Sequence, residues 1–424
     1  VGGPRMEAAL LRRRDNLAEA AEELHEVVFR EADIHATDVD EVAVIRRLIG
    51  GGMEISLMPR GEEDAPHVQP HFQRTFLPSE TREIRLYLHG GDDLVRLGGP
   101  VGSGITLRVI GGGGADELED SESGPDVFFY DDGEETELRS SGAEWVRRDV
   151  SRPYSWWEEG EETPDFGHRS WPQPSVSYDS DRGLIASVGL RRDRYGFGMN
   201  PFRHRLQTSV GVAFRRMEPL LEYRHLFRRA LGPLDLQLHG RYSGFEVVRF
   251  YGLGNETEID GSETYYQVHQ KQLVLAPSLG VGDGSRWALT LGPVLKRIQS
   301  DTTNPSTFVT ESRAYGTGTF TQFGYRLSFD LDGRDLMNYP TRGYHVFGGG
   351  SFYPETLDVE HTFGEVHGEA AAYLSPSSTN PTLAVRAGGK KVWGTYPYSE
   401  AAFLGGIENL RGLREQRFAG DAMV

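Results

Sequence analysis

The chain has 424 residues, 45 basic and 63 acidic, giving a formal charge of -18 and a pI near 5.2. A balance this acidic argues against a nucleic-acid partner, whose binders carry a basic footprint, and the absence of cysteine excludes disulfides and thiolate metal sites. Glycine at 53 residues beside 11% aromatics excludes a disordered filler sequence; a mean hydropathy of -0.48 does not exclude a membrane, because barrel strands average lipid-facing with lumen-facing side chains.

The length predicts two or three domains. No apolar run approaches the ~18 residues of a membrane helix. The N-terminal "VGGPRMEAALLRRRDNLAEA" turns charged before a signal-peptide core can form. With Val1-Gly2-Gly3 at one end and an unfinished strand at the other, the expectation is a chain truncated at both ends.

Residues 5–31 predict one helix, with Leu10, Leu17 and Leu24 seven apart on a stripe facing a neighbour. Strands are expected at 41–48, 52–59 and 71–76, making 1–83 a small α+β segment. Residues 84–138 change character. "IRLYLHGGDD" (84–93) overlays "LRVIGGGGAD" (107–116) at a shift of 23, placing Arg85 on Arg108 and Asp93 on Asp116, and "DVFFYDDGEE" (126–135) is a looser third copy. A strand, a glycine corner and an acid recurring at this spacing predict a β-solenoid. "GGGGADELE" (111–119) also fits a calcium-binding nonapeptide through Asp116, against the plainer reading of a structural glycine corner. Residues 139–173 lack periodicity and read as a linker. Within it the Trp156-Trp157 pair fits a membrane interface, a lumen plug or burial against the next domain.

From about 174 the period becomes two. "LDLQLHGRYS" (234–243) puts Leu234, Leu236, Leu238 and Tyr242 on one face and Asp235, Gln237, His239 and Arg241 on the other. "QFGYRLSFDL" (322–331) alternates in the same way. Runs of ~10–14 residues exceed the ~5–6 of soluble strands and match strands that cross a bilayer at a tilt. Counting such segments gives about eleven strands before residue 395.

Three stretches in this region stand out. They are "FYGLGNETE" (250–258), "DGRDLMNYPTRGYHV" (332–346) with Asp332, Arg334, Asp335, Pro340, Thr341 and Gly343, and "GGIENLRGLREQRF" (405–418) with Leu410, Arg411, Gly412 and Leu413. In this order and spacing they resemble the outer-membrane assembly and surface-antigen barrels typified by BamA. The resemblance implies a sixteen-strand barrel with an inward-folding loop after the eleventh strand, so about five strands would follow Val424. It implies that Arg411 reaches into the lumen to pair with an acid beyond this chain. Leu413 stands where the family prefers an aromatic residue. The plainer reading of Arg411 is an exposed loop arginine.

The expected fold is therefore mostly β: an incomplete transmembrane antiparallel β-barrel of eleven to twelve strands (174–424) behind the α+β segment and a solenoid-like periplasmic domain. The expected function is that of an outer-membrane barrel aiding insertion or export of other proteins, with outer-membrane lipid and unfolded chains as partners. Residues near 71–114 also resemble the segment joining a calcineurin-like phosphoesterase to such a barrel. That leaves an enzyme anchor open as an alternative, beside a passive channel and, more distantly, a calcium-binding adhesin. No nucleophile elbow, P-loop or paired-histidine zinc motif occurs, so neither a catalytic site nor a cofactor is expected, calcium at Asp116 apart.

Overall fold

The structure, a computed structural model, describes residues 3–61, 69–100, 102, 104–120, 126–131, 133, 136–140, 143–146, 165–179, 181–199, 201–283, 286–376, 381–407 and 409–424. The chain divides into two compact units, Val1–Gly160 and Glu161–Val424. The fold is mostly β, with a parallel solenoid in the first unit and a large antiparallel sheet of barrel type in the second.

In the first unit the expected single helix is two, α1 (Gly3–Asp15) and α2 (Leu17–Val28). The break falls at Asn16, beside an Asp15 that pairs with Arg14. Asp and Asn side chains compete with the backbone for hydrogen bonds and sit poorly inside helices. Leu10, Leu17 and Leu24 are 58%, 64% and 63% exposed, so their stripe does not face a neighbour.

The solenoid starts earlier than residue 84. Its first rung is β1 (Glu31–His35) and β2 (Glu41–Arg47), followed by an inserted hairpin, β3 (Met53–Pro59) and β4 (Phe72–Phe76). Further rungs are β5 (Glu83–Gly90) with β6 (Leu94–Gly98), β7 (Thr106–Gly113) with β8 (Glu117–Asp120), β9 (Val127–Tyr130) with β10 (Glu137–Arg139), and finally β11 (Glu144–Val146). One sheet runs β1-β5-β7-β9-β11, all parallel. The other runs β10-β8-β6-β2, extended antiparallel by β3 and β4. Arg85 pairs with Arg108, a shift of 108 − 85 = 23 as read from the sequence. Asp33 pairs with Arg85, a shift of 85 − 33 = 52, because the hairpin interrupts the repeat. The boundary expected at 83/84 therefore does not exist: residues 31–146 form one stack around Ile34, Ile45, Leu86, Val95, Val109, Leu118 and Phe129.

One corner of this stack is a ladder of acids. The register Val42–Leu94–Glu117–Glu137 puts Glu41, Asp93, Asp116 and Thr136 on successive rungs. Each after the first accepts the backbone N–H of the rung before it: Glu41 N donates to Asp93 Oδ1 at 2.7 Å, Asp93 N to Asp116 Oδ1 at 3.0 Å and Asp116 N to Thr136 Oγ1 at 3.4 Å. Asp131 approaches from the next strand, and a Cβ at Gly111 would overlap the Oδ2 atoms of both Asp131 and Asp116. This overlap explains the glycine run better than loop flexibility does. Asp116 thus spends one oxygen on the ladder, and among the described residues no group of three metal-ligating side chains gathers.

Burial pushes the Asp93 carboxyl up to about 7 and, with Asp131 and Asp93 beside it, the Asp116 carboxyl up to about 8. Both folded values lie above the unfolded value near ~3.9, so the folded state holds protons that the unfolded chain releases. Stability of the solenoid should then be highest at acidic pH and fall as pH rises from about 4 to about 8. Thermal unfolding followed across that range should show this slope, and Asp116→Asn should reduce it.

The second unit holds β12 (His168–Asp179), β13 (Gly183–Arg194), β14 (His204–Ala213), β15 (Glu218–Leu231), β16 (Leu234–Arg249), α3 (Glu263–Tyr266), β17 (Gln267–Leu275), β18 (Ser278–Gly282), β19 (Trp287–Ser300), α4 (Phe308–Glu311), β20 (Thr319–Asp332), β21 (Gly343–Tyr353), β22 (Phe363–Leu374), β23 (Leu383–Gly394), β24 (Ala402–Leu404), β25 (Phe418–Gly420) and β26 (Ala422–Met423). Sequential neighbours pair antiparallel from β12 to β23, and β26 then adds to β23 through Lys390–Met423 and Lys391–Ala422. The strands β17 and β18 both lie between β16 and β19 and are one strand broken at Ala276-Pro277. Proline cannot donate to a ladder, and Ala276 N instead reaches His239 O at 2.8 Å. Counted so, eleven strands precede residue 395, as the alternation predicts.

The linker expected at 139–173 is corrected at both ends. Trp145 in β11 packs on Phe129 and donates its indole N–H to Asp131 O, so it belongs to the solenoid. Residues 168–173 already belong to β12, whose Pro172 and Pro174 are tolerated because, among the described residues, this strand has a neighbour on one side only. Trp156 and Trp157 lie outside the described residues.

The two faces of the large sheet differ as the period of two requires. Outward, Val188 lies beside Val210 and Val210 beside Leu221; Leu289 lies beside Phe329 and Leu291 beside Leu327. All of these are exposed. Inward, Gln270 lies beside Ser300 and Lys296 beside Gln322.

Candidate functional site

Four of these inward side chains receive the loop that follows β23. After Gly394 the chain makes one tight turn over Tyr398–Glu400, and both end residues are buried. Lys296 Nζ lies 2.8 Å from Glu400 Oε1, and Gln322 Nε2 donates to the same oxygen at 2.7 Å. The Tyr398 hydroxyl accepts Gln270 Nε2 at 2.7 Å and meets Ser300 Oγ at 2.7 Å. Beside this lies a second acid, Glu365, bonded by Ser351 Oγ at 2.9 Å and flanked by Lys390 at 3.6 Å and His367 at 3.4 Å.

The loop then returns as β24 and β25, which pair with each other, and docks on the "FYGLGNETE" turn. Ala419 bridges Leu253 and Gly254, with Gly254 N donating to Ala419 O at 2.8 Å. Gln416 Oε1 accepts Arg249 N at 2.6 Å, and the Arg417 guanidinium holds Thr257 Oγ1 at 2.7 Å while lying over the Tyr251 ring. A loop that leaves β23 and reaches the end of β16 requires the sheet to curl, with the loop across its concave face. Two of the three family-like stretches are thereby brought together.

The third is separate, at the opposite end of the strands. Arg334 grips Asp332 with two bonds of 2.8 and 2.5 Å. Asp335 accepts Leu336 N, Thr341 N, Thr341 Oγ1 and Arg342 N, at 2.9, 3.0, 2.5 and 3.2 Å. These donors, the Thr341 hydroxyl first, hold the Asp335 carboxyl well below the usual range. Pro340 precedes Thr341, and Gly343 closes the turn at φ 106°, where a Cβ would overlap Gly333 O.

Arg411 is exposed, with its Nε 3.5 Å from Ile407 O and no ion pair to a described residue. Leu410 and Leu413 are each 40% exposed, and Gly412 adopts φ 93°. Within this chain the loop is fastened by Tyr398, Glu400, Gln416 and Arg417. Sequence reasoning did not single these residues out. Its alternation placed Gln322 on the polar face, but nothing in "YSE" marks the turn that meets it. Asp116 serves the solenoid corner described above.

No family profile and no curated protein matches this chain. Among solved structures it is similar to BamA from Haemophilus ducreyi lacking POTRA domains 1–3, at 14% identity and a TM-score of 0.40, over 58% of this chain and 46% of that one. The chain thus spans less than half of that structure, and the case for its fold rests on the sheet described here.

Three outcomes follow for stability. Tyr398→Phe removes one hydrogen bond each from buried Gln270 and Ser300, which keep their mutual bond of 3.3 Å, and should cost about 1–3 kcal/mol, whereas Arg411→Ala should stay within about 0.5 kcal/mol. Gly343→Ala should cost about 2 kcal/mol or more, since it adds overlap to a strained φ. Urea unfolding of the chain in detergent measures all three.

Proposed function

We propose that the second unit is the wall of a bacterial outer-membrane β-barrel, and that the solenoid is its periplasmic extension. The observation that carries this reading is the outward stripe of exposed Val, Leu, Phe and Tyr, continuous from strand to strand on strands of up to 16 residues. A water-soluble protein rarely exposes so large an apolar patch, while lipid requires one. The polar inner face then lines a lumen, and the loop over 395–421 occupies it.

Within that class, the reading supported best is a barrel that aids insertion or export of other proteins. Its support is the resemblance of the three motif stretches, two of which meet where the loop docks. Outer-membrane lipid is the surrounding partner, and unfolded chains are the clients. The role proposed is non-catalytic, with neither metal nor cofactor. Service as the anchor of a separate enzyme is the alternative, favoured by the solenoid, a stiff spacer with a continuous core.

The chain should enter preformed liposomes, resist trypsin across β13–β23 and migrate differently on gels with and without heating. A chain that stays in the aqueous fraction, or is digested throughout, would refute the membrane reading. Liposomes holding the chain should also speed the insertion of a second, unfolded barrel protein; no acceleration would favour the anchor.

A further inference from the structure

The wall that receives Glu400 is complete without it. Lys296 and Gln322 project from β19 and β20, and Lys390 and Glu365 from β23 and β22, all in ladders formed without the loop. Lys296, Lys390 and Arg326 are the cations here, and Glu365 is the acid that the wall itself supplies. Arg326 reaches Ser351 Oγ at 3.2 Å, which in turn donates to Glu365. Three cations therefore surround two carboxylates, one of which the loop brings in. When Glu400 leaves, the wall keeps three cations against one acid, with Lys296 and Gln322 without their shared acceptor. Half-buried cations left in this way attract a carboxylate that can reach them.

Gly394 lies before the turn and Gly405 after it, at φ 85° and 119°, conformations open to glycine and strained for other residues. The segment between them is thus bounded by two positions that only glycine fills without strain. Its polar grip is Glu400 on Lys296 and Gln322 and Tyr398 on Gln270 and Ser300, beside the bond from Tyr398 N to Tyr315 O at 2.9 Å, with Ala401 and Ala402 seated in the apolar clusters around it.

We propose that Lys296, Gln322 and Lys390 form a carboxylate-binding site in the lumen wall, that Glu400 is its resident ligand, and that another carboxylate entering the lumen takes its place and frees the loop. The ligand class is a carboxylate anion, free or carried on an acidic side chain. The inference rests on the reading of the concave face as a lumen.

The test is ion conductance of the full chain in planar bilayers, with succinate as the probe. Wild type should conduct little at low succinate. Glu400→Gln should raise conductance several-fold, prefer anions and be blocked by succinate in a saturable way. Lys296→Gln combined with Glu400→Gln should conduct without that block. The exchanged pair Lys296→Glu with Glu400→Lys should restore the low conductance. Liposome insertion and heat-dependent migration of each variant are measured first. Failure of wild type to insert refutes the barrel reading itself. An inserted Glu400→Gln chain that conducts like wild type, or that succinate blocks no better than sucrose does, overturns the site.

Discussion

The second unit depends on one constraint: a β-strand presents successive side chains to opposite faces, so a wall between two solvents must be written two residues at a time. Here the outer letters are Val, Leu, Phe and Tyr, and the inner ones Gln, Lys, Ser and Glu. A register slip of one residue would exchange the two sets wholesale. The antiparallel ladder, sequential from β12 onward, is what prevents this, because each strand fixes the parity of the next. Where a strand departs from the pattern, the departure is local. The bulge between Ser243 and Glu246 adds one residue to β16, so that its odd positions face inward before it and its even ones after it while β17 keeps its own alternation, and the break at Ala276-Pro277 resumes with both neighbours unchanged.

The inner face poses a second problem, since charges packed there lose water. A buried ion pair is worth little unless its remaining bonding capacity is also met. Lys296 and Glu400 share an oxygen with Gln322, and the neighbouring Glu365 is held by Ser351. Polar side chains from four strands thus do on the inside what tight apolar packing does elsewhere: they give the loop one position rather than many. Apolar packing adds to this, in a cluster where Val248, Phe250, Val268 and Val309 meet Tyr398, Ala401 and Ala419 and in a second where Ala402 meets Val294, Phe320 and Val392.

Much of this was readable from the sequence wherever a local signal existed. The alternation gave the long strands and their number, and the overlay of Arg85 on Arg108 gave the solenoid register. The misses have physical causes. The first rung was hidden because β3 and β4 stretch one repeat to 85 − 33 = 52 residues. Residues 168–173 looked like linker because proline suits an edge strand but spoils the usual signature. The single helix was broken by residues with poor helical propensity. At the loop, parity could place Lys296 and Gln322 on the polar face, yet what Lys296 meets lies 104 positions away. Pattern shows which way a side chain points; only the folded chain shows what waits there.

The inserted hairpin has an architectural consequence. A parallel stack grows by adding rungs to an open end, and β3 with β4 lies on the first rung's second strand with antiparallel pairing, closing that side to further parallel copies. Length can still change at the rungs from β5 to β11, where each repeat of 23, 20 or 16 residues is a self-contained step of about 4.8 Å. Duplication or loss of one such repeat would reset the reach of the first unit in fixed increments while leaving its capped end untouched, making the solenoid a ruler graduated in rungs.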